Sequence, residues 1–246
     1  MDTMIRVYIF FATFVLFFVL EQLFARRVYG LDKKRLISNL SLVFAFYILS
    51  IFFKSFIPYT FALKHQGQMP FWASLIIFDF CIYLQHVISH KVSFFWRFHS
   101  VHHSDLHIDT TTALRFHPLE LLASTFYKVG LISIFGLSAD AVFVGEILLS
   151  SGALFNHANL YLPEWLDRFI RFFIVTPDMH RIHHSSENSE MNSNYGFFLS
   201  LWDRVFRTYG QRTFRDQEKI EIGLKQWRVK EKLYFFHLLL WPFKRP

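Results

Sequence analysis

Between Tyr8 and Ala25 the chain reads YIFFATFVLFFVLEQLFA, with Glu21 as the single charge. A run this long and apolar can cross roughly 30 Å of hydrocarbon as one helix. Lipid offers the backbone no hydrogen bonds, so a chain built on such runs is confined to helical bundles or closed barrels. A cleaved signal peptide is the competing reading, but no A-x-A-like site follows. EQLFARRVYG reads instead as a helix end meeting basic headgroup contacts. Of the 246 residues, 53% are hydrophobic and 33 are Phe, more than a soluble domain of this length needs for its core.

Residues 5–25 and 37–62 are predicted as the first two spans, around the basic loop ARRVYGLDKKR (Ala25 to Arg35). Met69 to His90, opened by Pro70, is a third. Leu119 to Leu137 and Ala139 to Phe155 form a fourth and fifth, divided by FGLSAD; both are short, so they read as full spans or as a re-entrant hairpin. The expected fold is all-α: a polytopic membrane helical bundle of about four spans, or three plus that hairpin, under a cytosolic helical cap. It forms one domain over 1–246, with an N-terminal transmembrane hairpin at 5–68, a core at 69–210 and a cytosolic or interfacial segment at 211–246. In that last segment LYFFHLLLWPFKRP is too short to span. With Trp241 and Lys244–Arg245 at its end, it reads as an interfacial helix.

The net charge is +7, but the basic residues flank apolar segments, which argues against a nucleic-acid partner and for the cytoplasmic side of a membrane. If the Arg26–Arg35 loop is cytoplasmic, the third span returns to that side and brings the histidine-rich stretches to one face. Cys81 is the sole cysteine, so an internal disulfide and a thiolate metal site are both excluded.

Eleven of thirteen histidines fall between 86 and 184. His86 and His90 are four apart, and HSVHH and HRIHH place His99, His102, His103 and His180, His183, His184 at the same helical spacing. Asp79, two turns before His86, is predicted to accept a ring N–H and fix a tautomer. One such motif is often incidental; two triplets and an upstream pair at one face point to metal. Eight nitrogens exceed the needs of one tetrahedral ion, so two ions are implied, and an all-imidazole site suits iron, copper or zinc. Haem would ask for single histidines on facing helices near mid-bilayer. A histidine-rich metal-binding or metal-transport protein is the alternative from another class. It should carry ionisable groups at mid-span, where this chain has few beyond Glu21, Lys54, Asp79, Lys128, Asp140 and Glu146.

The stretches DFCIYLQHVISH (79–90), WRFHSVHHSD (96–105), TTTALRFHPLE (110–120), FNHANLYLP (155–163), TPDMHRIHHS (176–185), NYG (194–196) and LWDRVFRTYG (201–210) resemble, in this order, the membrane fatty acid hydroxylase/sterol desaturase superfamily of histidine-box di-iron oxygenases. The resemblance implies that His86, His90, His99, His102, His103, His180, His183 and His184 are the metal ligands on which catalysis depends, with His157 a further ligand. It implies a supporting role for His117, and that Arg115, Asn194 and Asp203 orient ligands or brace the cap. His65, His107 and His237 match nothing. Val87 stands where the family often has Arg, and Tyr161 where some fatty acid hydroxylases have a second histidine; HPLE and HANLYLP lean toward the sterol-desaturase-like branch.

The function implied is O2-dependent hydroxylation or desaturation at an unactivated C–H of a sterol, fatty acyl or related lipid. The cofactors implied are two iron ions, with zinc as a substitute in isolated protein, and O2 as co-substrate. Electrons would come from a separate cytochrome b5-, ferredoxin- or flavoprotein-type donor. The enzyme would be integral to a bacterial inner membrane or the endoplasmic reticulum, its metal site on the cytoplasmic face. A basic face around Arg97, Arg181, Arg204 and Arg207 is expected to meet an acidic donor or phospholipid headgroups.

Overall fold

The computed structural model describes residues 2–30 and 32–244; Leu31 of the basic loop and Arg245 of the cationic end lie outside them. Nine helices position the site: α1 (Asp2–Leu23), α2 (Lys33–Ile51), α3 (Pro58–His65), α4 (Phe71–Lys91), α5 (Ser93–His103), α6 (Pro118–Phe135), α7 (Ala139–His157), α8 (Glu164–Ile170) and α9 (Pro177–His183). Helices α1, α2, α4, α6 and α7 are long and apolar enough to cross a membrane. The chain is an all-α integral membrane protein. On α1, Tyr8, Phe11, Val15 and Leu16 point outward, a large apolar exposure that lipid explains.

The α6–α7 hairpin has two full arms. Even α6, with 18 residues, reaches about 27 Å at the rise of an α-helix. Gly136 ends α6 in the left-handed region (φ 63°), where a side chain would be strained. Ser138 then caps α7 by accepting from the Ala141 N–H at 3.4 Å.

The second predicted span, 37–62, is not one helix. It stops at Ile51 and resumes at Pro58, after a tight turn at Lys54–Phe56. Pro58 has no N–H to continue the ladder and holds Ile57 extended (ψ 123°), so it starts α3 rather than prolonging α2. At eight residues α3 is too short to cross. Its Tyr59 and Ala62 join Phe78, Ile82, Ile132 and Leu137 in the bundle core. There α4 and α7 meet at Gly145, where a Cβ would stand 2.7 Å from the Phe78 ring.

The arginines of the basic loop turn inward. Arg26 is buried over the Phe214 ring, 3.7 Å from Asp178, and Arg27 donates to the Ile220 carbonyl at 2.8 Å. Arg35 clamps Asp105 at 2.7 Å and Asp109 at 2.6 Å, pinning the loop to the segment after α5. These guanidiniums have carboxylates and carbonyls within reach, which water at a headgroup would only partly replace. Lys33 and Lys34 stay exposed. Glu21 is satisfied internally too, accepting from the Thr110 and Asn159 N–H groups at 2.9 Å each.

The C-terminal helix predicted to lie at the interface is partly buried in the protein. Trp241 is buried, donates to Ser100 Oγ at 2.8 Å and packs with Leu42, Val101 and Leu238. Phe236, Leu240 and Phe243 remain exposed. The indole N–H finds a partner inside, so this tryptophan locks the segment to α5 rather than anchoring it in lipid.

Candidate metal centre

Nine histidines converge where α4, α5, α7 and α9 end. They form two groups, and within each group one ring nitrogen per residue lies within 4.8 Å of the others. The first holds His86, His90, His99, His103 and His183; the second holds His102, His157, His180 and His184. Both triplets are divided. His99 and His103, one turn apart on α5, serve the first group while His102 serves the second. On α9 and its C-cap the sense reverses: His180 and His184 serve the second group and His183 the first. The helical period permits this split, because i+4 lies about 40° to one side of i and i+3 about 60° to the other. The His103 and His184 rings stack 4.5 Å apart between the groups.

Thr176 and Pro177 start α9 and so set its histidines in place. The Thr176 hydroxyl accepts from the Met179 N–H at 3.3 Å, and Pro177 occupies a position that needs no donor.

Metal fits this arrangement better than hydrogen bonding does. His157 Nδ1 donates to the Ala153 carbonyl at 2.7 Å, leaving Nε2 as a lone pair. Around it stand Nε2 of His102 at 3.0 Å, of His180 at 3.0 Å and of His184 at 3.2 Å. One lone pair cannot satisfy three neighbours, whereas neighbouring nitrogens each about 2.1 Å from one ion are about 3.0–3.4 Å apart. In the first group His86 Nε2 and His99 Nε2 are 3.2 Å apart. His90 Nε2, His183 Nε2 and both nitrogens of His103 are buried with no hydrogen-bond partner among the described residues. Burial first, and then the neighbouring rings, hold His102, His103, His180 and His184 well below the ordinary imidazole value. Neutral rings with free lone pairs are what a metal ion requires.

The outer contacts fix the tautomers. His86 Nδ1 donates to the Tyr195 carbonyl and His183 Nδ1 to the Ser193 carbonyl, each at 2.7 Å, so two carbonyls of one turn orient two histidines of the first group. Asn194 sits between them in the left-handed region (φ 53°), its side chain bonded to the Met179 carbonyl and both backbone groups of Gly210. Asp203 accepts from the Tyr195 and Gly196 N–H groups at 2.8 Å each. Burial pushes its carboxyl up to about 6, against those hydrogen bonds and one from Thr208. Arg115 is buried and donates to Asn39, Ser104, Val101 and Leu233, bracing α2, α5 and the C-terminal segment.

Glu120 is the residue that sequence reasoning passed over: its Oε1 accepts from His99 Nδ1 at 2.6 Å. The signal was present in HPLE, close behind the histidine boxes. The carbonyls of Ala153, Ser193 and Tyr195 carry no signal in a sequence. Asp79 does not take the predicted role. Two turns separate it from His86 by about 10 Å along α4, and its Oδ2 accepts from Trp202 Nε1 at 2.7 Å. Arg181 leaves the expected basic face, fully buried against Asp178, while Arg97 and Arg207 stay exposed. His117 caps α6, accepting from the Leu119 N–H at 3.2 Å. His107 stacks on Tyr29, and His65 and His237 are exposed.

A cavity of about 310 Å³ reaches the first group at His86 and His99 and is otherwise walled by side chains such as Phe46, Ile82, Leu121, Leu149 and Phe197. A larger cavity of about 1000 Å³ lies between α1, α2, α6 and α7, and shares Phe10, Phe46, Lys128 and Leu149 with the first.

The sequence is 32% identical over 141 residues to the ornithine lipid hydroxylase OlsE of Rhizobium tropici, covering 55% of this chain and 40% of that one. It is 30% identical over 164 residues to alkylglycerol monooxygenase of Xenopus tropicalis, covering 66% and 34%. A very-long-chain aldehyde decarbonylase of Oryza sativa subsp. indica is 27% identical over 156 residues, covering 60% and 23%. The chain thus spans less than half the length of these curated relatives. No solved structure matches it. The fatty acid hydroxylase profile covers residues 71–208, from the start of α4 past Asp203, and so takes in every histidine of both groups. With two histidine groups set at the ends of membrane helices and this match over more than half its length, the chain belongs to the fatty acid hydroxylase family.

Proposed function

We propose that the protein is a membrane-bound, O2-dependent lipid hydroxylase or desaturase, with two iron ions held by the nine histidines of the two groups. The observation that carries this reading is the apolar cavity ending on His86 and His99. It gives a hydrocarbon chain an apolar space between the membrane helices that reaches the ligands. The relatives named for lipid hydroxylation and monooxygenation support the same reading. When bound, a pair of iron ions supplies the reduction of O2 and the abstraction of hydrogen from an unactivated C–H. Phe116, Leu149 and Phe197 keep water from the reacting carbon, and Glu120 holds the Nδ1 proton of His99 so that Nε2 faces the ion.

The histidine end faces the cytoplasm in this reading, with Lys33 and Lys34 meeting headgroups there. A separate cytochrome b5-, ferredoxin- or flavoprotein-type donor supplies electrons near the exposed Arg97 and Arg207. Residues 69–210 act as the catalytic core, 5–68 as the membrane hairpin and 211–246 as the segment that closes the cap.

The test is metal content and O2 uptake by the purified protein loaded with ferrous iron, with a reductant and a membrane-lipid extract. Two irons per chain, and lipids gaining one oxygen or losing two hydrogens, are expected. Metal flux across liposomes without O2 uptake would replace the oxygenase reading with the transport one.

A further inference from the structure

Three charges inside the membrane-spanning helices serve neither histidine group. Arg6 of α1, Lys128 of α6 and Glu146 of α7 come from three helices and meet at one point. An Arg6 guanidinium nitrogen lies 2.7 Å from Glu146 Oε2, and Lys128 Nζ lies 3.0 Å from Glu146 Oε1. Lys128 is eight residues beyond Glu120 on α6, about 12 Å farther from the histidines, and Glu146 is eleven residues before His157, about 17 Å away. The cluster therefore stands at hydrocarbon depth, where an ionised side chain is costly unless something balances it.

Glu146 balances one of the two cations. Among the described residues, the other finds no further acid in the lining of the cavity of about 1000 Å³, whose charged members there are Arg6, Lys128 and Glu146. Tyr47 and Thr125 line the same space and add hydroxyls, while Phe10, Phe14 and Phe44 make it apolar elsewhere. Lys128 also lines the smaller cavity that ends on His86 and His99.

We infer that Arg6, Lys128 and Glu146 hold the anionic oxygen group of an amphiphile whose hydrocarbon chain runs down to His86 and His99. A carboxylate or phosphate placed there supplies the missing negative charge, and the fixed distance from Lys128 to the histidines selects which carbon of the chain reaches them. This rests on the proposed lipid oxidation for its purpose, but the binding is independent of it.

The experiment uses the whole metal-loaded protein in nanodiscs of zwitterionic lipid under strictly anaerobic conditions, so that no O2-dependent turnover enters the reading. Binding of radiolabelled lauric acid, dodecyl phosphate and dodecanol is measured by scintillation proximity. Either anion should bind about tenfold or more tightly than the alcohol, the margin expected of hydrogen bonds to charged groups. The comparison of acid with phosphate tells which anionic group fits. Lys128→Met should abolish that preference and Lys128→Arg should keep it, with both variants checked for intact folding by thermal melting. Equal binding of alcohol and anions overturns the inference. So does a Lys128→Met protein that melts lower yet keeps the preference, since the triad would then be only a clamp between helices. Loss of the oxygenase reading through missing O2 uptake would leave this binding result standing, and the reverse holds as well.

Discussion

His99 Nδ1 lies 2.6 Å from Glu120 Oε1, and this contact joins the first histidine triplet to the start of α6. It turns the opposite ring nitrogen toward His86 and the first histidine group. A carboxylate in this place sets the tautomer and raises the basicity of its imidazole. Glu120→Gln keeps the shape but loses the charge. It should weaken metal binding about tenfold to a hundredfold. Titration of the stripped protein with ferrous iron checks this, and unchanged affinity would show that Glu120 is only a helix-start residue.

The division of the triplets predicts how metal is lost. His183→Ala should empty the first group and His157→Ala the second, each leaving one ion per chain instead of two, with O2-dependent turnover abolished in both. Elemental analysis reads the stoichiometry. If either variant loses both ions or neither, the two groups are not separate sites.

Leu121 lines the cavity beside His99 without belonging to either histidine group. Leu121→Trp should fill part of the space, leaving metal content at the wild-type value and reducing lipid-dependent O2 uptake about tenfold or more. Full turnover in this variant would place the substrate path elsewhere.

Gly145 lets α4 and α7 approach, and Gly145→Leu would force its side chain into the Phe78 ring. Overpacking of this kind costs about 1–3 kcal/mol. The melting temperature in detergent should fall, and Phe78→Ala in the same chain should restore part of it. A melt unchanged by Gly145→Leu would mean that the two helices separate freely at this point.

Asp203 sets a pH dependence of stability. Burial raises its carboxyl to about 6 in the folded protein, above the ordinary value of an unfolded aspartate. Between about pH 4 and 6 the folded state then holds more protons than the unfolded state, so stability falls as pH rises through that window and levels off above it. Asp203→Asn should flatten that part of the profile. The comparison is between slopes of melting temperature against pH, because the substitution also disturbs hydrogen bonds to Tyr195 and Gly196. Equal slopes in the two proteins would assign the dependence to other groups.

Helical spacing was legible wherever local geometry decides the outcome. HSVHH and HRIHH lie on or at the end of helices, as their i, i+3, i+4 pattern required, and the apolar runs became membrane-length helices. Pro58 was equally visible, yet the second span was read through it, because hydropathy outweighed a backbone restriction that a single proline imposes. Asp79 and Arg181 failed for another reason. Periodicity says which side of a helix a residue occupies, but not which neighbour reaches it first, and Trp202 and Asp178 did so. The basic loop shows the same thing, since carboxylates and carbonyls of the cap compete with lipid headgroups for Arg26, Arg27 and Arg35.

By itself the sequence determined that this chain is a helical membrane protein with enough imidazoles at one face for two ions, because hydrophobic length and helical period are properties of consecutive residues. Only the tertiary structure decided which histidine joins which group. That choice depends on the angle at which α5 and α9 meet the ends of α4 and α7, and on carbonyls and a carboxylate brought from distant segments. The cluster of Arg6, Lys128 and Glu146 was decided there too, since three charges on three separate helices become one site only when the helices pack.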